Sequence, residues 1–154
     1  MQQILASGLS EKEARTQFPF VIRHKLSGGL VGSTRFLDIQ SSHRKLEIGS
    51  TWLIPEYWAT SVNLECKLLL LTYCFEKLNA FRVQLKTDEN NIRSRKAIEK
   101  IGGVFEGILR NDMIRDNGTK RNSAYYSIIE EEWILKRKNL EKLLKEKRNA
   151  ETGV

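Results

Sequence analysis

The chain has few of the residues that impose special chemistry: two cysteines, two prolines and two histidines among 154 residues. Cys66 and Cys74 fall in one expected helix, too far apart along its axis to be bridged, so they read as buried small hydrophobes rather than a disulfide. His24 and His43 have no Cys, Asp or His partners at ligand spacing, and no metal is expected. No apolar run approaches the roughly 20 residues of a membrane span, and Met1-Gln2-Gln3-Ile4 lacks the charged-then-apolar layout of a secretory signal. The expectation is a cytoplasmic protein with no membrane partner.

What is present is an ordinary soluble composition, 40% hydrophobic and 29% charged, at a length suited to one core. The net charge is +7. Seven basic against two acidic residues lie between Lys136 and Asn149, so most of the excess sits on a tail. A charge run of that kind is usually a solvated helix face, and nucleic acid is not the expected partner. The expected organisation is one domain over 1–135 followed by a basic C-terminal helix over 136–154.

Ser10 and Glu13 form a capping box, predicting a short helix from Ser10 to Gln17 that stops before Pro19. Alternation then predicts strands at Phe20–Lys25, Leu30–Gln40 and Leu46–Leu53, the last with Ile48 and Trp52 on one face, joined by turns into an antiparallel meander. Leu64, Leu68, Leu71, Phe75 and Leu78 mark one stripe of a helix over Val62–Leu78. The strand at Phe81–Thr87 follows a helical crossover, the condition for a parallel neighbour. A helix over Asn91–Ile101 closes on Gly102-Gly103. Strands at Val104–Ile114 and Ser123–Ile129 then join through Asp116-Asn117-Gly118. Trp133, Leu140 and Leu144 give the tail helix a narrow apolar stripe. The fold class is mixed α/β.

The stretch Trp58-Ala59-Thr60-Ser61-Val62-Asn63 sets small residues directly before a long apolar helix, a layout that aims free N–H groups and a helix dipole at an anion. The order of elements, with "EIGSTWLIPEYWATSVNLECKLLLLTYCFEKLNAFRVQLKTDENNIRSRKAIEKIGG" over 47–103, resembles the GNAT superfamily of N-acetyltransferases, in particular the branch containing RimJ and RimL. The resemblance covers about Phe20 to Trp133. It implies the GNAT fold, acetyl-CoA as co-substrate and a primary amine, on a protein N-terminus or a small molecule, as acceptor. The family's pyrophosphate loop, [QR]-x-x-G-x-[GA], aligns with Glu56, Ala59 and Ser61, all of which depart from it.

By the same resemblance Trp52, Leu53, Ile54, Trp58, Ala59, Thr60, Ser61, Val62 and Asn63 would contact acetyl-CoA. Asn91 would hold its pantetheine arm, and Ser94 would protonate the departing thiolate. Glu47, on the third strand, is the candidate to take the acceptor's proton. The local alternatives are an N-cap for Asn91, a first-turn polar residue for Ser94 and a solvent-facing strand position for Glu47. Family members usually carry a strand and helix before the Ser10 segment, so a homodimer that completes the exposed strand edge is expected, and a non-catalytic module of the same fold is the second reading of the whole chain.

Overall fold

A computed structural model describes residues 16–153. The expected helix from Ser10 lies almost wholly outside them. Six strands, β1 (Phe18–Arg23), β2 (Leu30–Gln40), β3 (Lys45–Leu53), β4 (Arg82–Asp88), β5 (Val104–Ile114) and β6 (Lys120–Ile129), form one sheet in the order β1-β2-β3-β4-β6-β5. Only β3 and β4 run parallel. Among the described residues three α-helices accompany them: α1 (Ser61–Glu76), α2 (Ile92–Lys100) and α3 (Glu130–Thr152). The mixed α/β meander–crossover–hairpin layout expected from the sequence is the one observed.

The first strand starts two residues earlier than expected, because Pro19 sits on an edge strand, where a missing N–H leaves no ladder bond unmade. At its other end α1 stops at Glu76, and Leu78, counted with its stripe, is exposed beyond it. Asn79 supplies the left-handed residue of that exit, at φ +50°.

One buried cluster joins all three helices to the sheet: Leu64, Leu71 and Phe75 from α1, Ile98 from α2, Trp133, Leu140 and Leu144 from α3, and Phe36, Ile48, Val83, Leu85, Tyr126 and Ile128 from the strands. α3 lies antiparallel along α1. Its Trp133 ring stacks on Phe75 at 5.1 Å and donates to Glu76, while Arg148, further along, pairs with Glu65 at 2.7 Å. The tail's basic residues are therefore partly spent on ion pairs, with Arg137 also reaching Glu76 and Glu141. The opposite sheet face is polar, built from Arg82, Gln84 and Lys86 with Glu47, Glu106 and Ser127.

Because Leu140 is 1% exposed and belongs to the cluster, Leu140→Ala should lower unfolding free energy in urea by roughly 2–4 kcal/mol with an unchanged m-value. A loss well under 1 kcal/mol would mean that α3 is a peripheral attachment.

Candidate active site

β3 and β4 share only three paired positions, Lys45↔Arg82, Leu46↔Val83 and Glu47↔Gln84. Beyond Glu47 they diverge, and the cause lies in β3. Its register against β2 slips between Ser33 and Arg35, where Ser50 takes φ +47° as an extra residue. Such a bulge bends the strand that carries it. It also reverses the alternation: Ile48 is buried in the core while Trp52 is 46% exposed, so the expectation that both share one face is wrong.

Polar groups pin the bulge from the helix side. Thr34 Oγ1 lies 2.8 Å from Thr51 Oγ1 and donates to Gly49 O, and Lys67 Nζ donates to Thr51 Oγ1 at 2.6 Å. Lys67 is 6% exposed on α1. Burial pushes its ammonium down to about 8, against a small opposing pull from neighbouring Cys66.

The two strands end where their helices begin, so the α1 and α2 N-termini stand at the open end of the fork, the usual ligand end of a parallel pair. Ahead of α1, Pro55–Tyr57 makes one 3₁₀ turn, with Glu56 exposed on it, and the Trp58 indole closes back on Leu53 O at 2.7 Å. Ile54 N donates to Val31 O. Ala59 then takes φ +58°, a left-handed conformation that glycine adopts without its Cβ penalty. Thr60 is the N-cap, accepting from Val62 N, and Ser61 presents its amide N–H and hydroxyl outward. Both are bound to the carboxylate of Glu151, from the end of α3, at 2.6 and 2.7 Å. In the same turn Asn63 Oδ1 is shielded from solvent with no hydrogen-bond partner.

α2 starts beside this loop. Arg93 lies over the Trp58 ring at 4.6 Å, tying the two helix entrances together. Asn91 caps α2, its Oδ1 accepting from Ser94 N at 3.0 Å, and Ser94 is half-buried in the first turn.

A family model described as an acetyltransferase (GNAT) domain matches residues 1–104. The chain belongs to the GNAT family. It is 33% identical to the provisionally named ribosomal N-acetyltransferase YdaF of Bacillus subtilis (strain 168), over 69% of this chain and 57% of that protein. To the spermidine N(1)-acetyltransferase of Escherichia coli (strain K12) it is 25% identical, over 72% of this chain and 59% of that one. A crystal structure of a provisionally named acetyltransferase from T. thermophilus superposes with a TM-score of 0.82 at 35% identity, covering 91% of this chain and 71% of the other. The chain thus spans little more than half the length of the curated relatives it matches.

On the face of this GNAT sheet away from α1, Glu47 sits at the base of the fork, 4% exposed rather than facing solvent. Gln84 Nε2 donates to its Oε2 at 2.9 Å, and Lys86 Nζ lies 3.6 Å from the same oxygen. Gly49 makes the room, since a Cβ there would come within 2.9 Å of Glu47 Oε1. Burial works against the Lys86 charge, but Glu47, Tyr125 and Asp112 outweigh it and hold its pKa above the ordinary value. Tyr125 donates to Asp112 Oδ1, and Asp112 Oδ2 is buried without a partner. Among the described residues no group of three His, Cys, Asp or Glu stands as metal ligands would.

Sequence reasoning missed Lys67, Gln84, Lys86, Arg93 and Glu151 as participants. Lys67 alone carried a signal, as a charged residue between Leu64 and Leu71 on an apolar stripe.

The buried ammonium has a definite pH signature. Below about 8, Lys67 is charged in the folded and unfolded chain alike, and the folded state bears the burial penalty in full. Between there and roughly 10.4 the folded protein sheds the proton first, so stability rises with pH. Lys67→Met should therefore be the more stable protein at pH 7, by up to about 3 kcal/mol, with the advantage shrinking by pH 9.5 in urea titrations. An advantage independent of pH would show that the ammonium carries no penalty.

Proposed function

We propose that this chain is an acetyl-CoA-dependent N-acetyltransferase acting on a primary amine. The observation that carries the reading is the fork: two parallel strands released after three paired residues, with two helix N-termini at the open end. The residues fit the co-substrate. Ser61 already holds an anionic carboxylate, Ala59 turns the loop in the left-handed sense, and Asn63 Oδ1 faces no protein donor. Acetyl-CoA brings an acetyl thioester and a diphosphate. The amide and hydroxyl of Ser61, with the α1 dipole, hold the diphosphate without a basic side chain. Trp52, Leu53 and Ile54 line the β3 side of the fork, and Asn91 the α2 side.

Ser94 is the proton donor to the leaving sulfur, and Glu47 the group that draws in and deprotonates the acceptor amine from the polar face. Lys86 beside Glu47 balances its charge until an acceptor arrives. The names of the relatives cover ribosomal and polyamine acceptors, so the acceptor class is the primary amine they share, on a RimJ/RimL-like scaffold. The outer side of β1, the last strand of the described sheet order, is our choice for pairing between copies.

Calorimetric titration with acetyl-CoA tests the loop. Ala59→Gly removes a left-handed Cβ and lets the Thr60 amide approach phosphate, so Kd should fall about five- to thirtyfold. If neither protein binds at millimolar ligand, a non-catalytic module of the GNAT fold becomes the better account. Ser94→Ala tests the chemistry. It should lower kcat by about 10²-fold or more at nearly unchanged acetyl-CoA affinity, whereas weakened binding at full kcat would make Ser94 a ligand contact.

A further inference from the structure

The α1 N-terminus is occupied by this chain's own anion, and the way that anion is held suggests a role. Glu151 uses both carboxylate oxygens on one residue, Oε1 accepting from the Ser61 amide and Oε2 from the Ser61 hydroxyl. These are the groups that a diphosphate needs. A single N–H cannot serve two anions, and the like charges of a carboxylate and a diphosphate repel at that distance.

The segment bearing Glu151 is attached weakly. The last fully buried residue of α3 is Leu144, and from Lys145 onward every described residue is exposed except Lys147, which is half-buried. Over those last two turns the ties to α1 are polar: Arg148 to Glu65 at 2.7 Å, on side chains 50% and 38% exposed, and Glu151 to Ser61. Exposed pairs of this kind hold little against solvent, and helix ends fray at small free-energy cost. The first four turns of α3, by contrast, are anchored by Trp133, Leu140 and Leu144 in the core. The helix is thus divided at Leu144 into a fixed part and a releasable end. All of α3 lies past the residues that the family model matches.

We infer that the end of α3 is a built-in competitor for the diphosphate site: the Glu151 carboxylate occupies Ser61 in the ligand-free protein, and acetyl-CoA binds as the last two turns of α3 leave α1. This rests on the acetyl-CoA reading above. The apparent affinity is the intrinsic affinity reduced by the fraction of molecules whose end is released. Anything that stabilises the final turns on α1 therefore weakens binding, and anything that holds them away strengthens it.

The test compares the full chain with Glu151→Ala, and with Glu65→Gln, which loosens the same turns without touching Ser61. Acetyl-CoA and inorganic pyrophosphate are each titrated calorimetrically, and hydrogen exchange of the amides over 146–152 is followed with and without ligand. Glu151→Ala should bind acetyl-CoA roughly three- to tenfold tighter, Glu65→Gln less so in the same direction, and ligand should speed exchange over 146–152 in the unsubstituted chain. Equal or weaker binding by Glu151→Ala, or exchange over 146–152 that ligand leaves unchanged or slows, overturns the competitor. Pyrophosphate bound more tightly by Glu151→Ala when acetyl-CoA binds to neither protein keeps the competitor and sinks the acetyl-CoA reading. Binding of neither ligand by any of the proteins overturns both.

Discussion

The site depends on one extra residue in β3. Had the strand kept its register past Glu47, its backbone would have continued to hydrogen-bond to β4, and the centre of the sheet would be closed. Ser50 in a left-handed conformation ends that continuity, and the threonine pair on β2 and β3 holds the bend. The third member of the lock, Lys67, is an expensive choice: a nearly buried ammonium bonded to a hydroxyl rather than to a carboxylate. Placed under the bulge, it gives the fork a fixed shape at some expense of stability, the pattern expected where local rules yield to a functional site.

Everything assembled at the fork follows from that opening and from chain direction. Parallel strands joined by a crossover helix put both following helices at the same sheet end, so two sets of free N–H groups converge without any residue being selected for it. The Arg93–Trp58 contact then couples the two entrances. On the opposite face Glu47, Gln84 and Lys86 from adjacent strands meet because register aligns them. In the proposed function, helix dipoles serve an anion on one side of the sheet, and a buried carboxylate serves a cation on the other.

The length of α3 matters as much as its composition. Packed antiparallel on α1 from Trp133 onward, it needs to be long enough to bring a carboxylate level with Ser61, and at 1.5 Å per residue the span from Trp133 to Glu151 is about 27 Å. The basic residues that dominate the net charge are partly paired along it. Arg137 and Arg148 are spent on acidic partners of α1.

The sequence alone determined the element order, the crossover that makes β3 and β4 parallel, the apolar stripes of α1 and α3, and the family, because periodicity and motif order are local or collinear signals. The left-handed requirement at Ala59 was also legible, since it follows from aligning a glycine position with a residue that has a Cβ. What only the tertiary structure decided depends on contacts between distant segments. The bulge at Ser50 follows Gly49, but a lone strand glycine does not say which way the strand slips, so strict alternation put Trp52 on the wrong face. A solvent-facing position was the local alternative for Glu47, yet Gln84 and Lys86, nearly forty residues on, pair with it and it is buried. Glu151 lies ninety residues from Ser61 in the chain. Only helix packing brings them together, because no spacing rule relates an anion at the end of one helix to the free amide at the start of another.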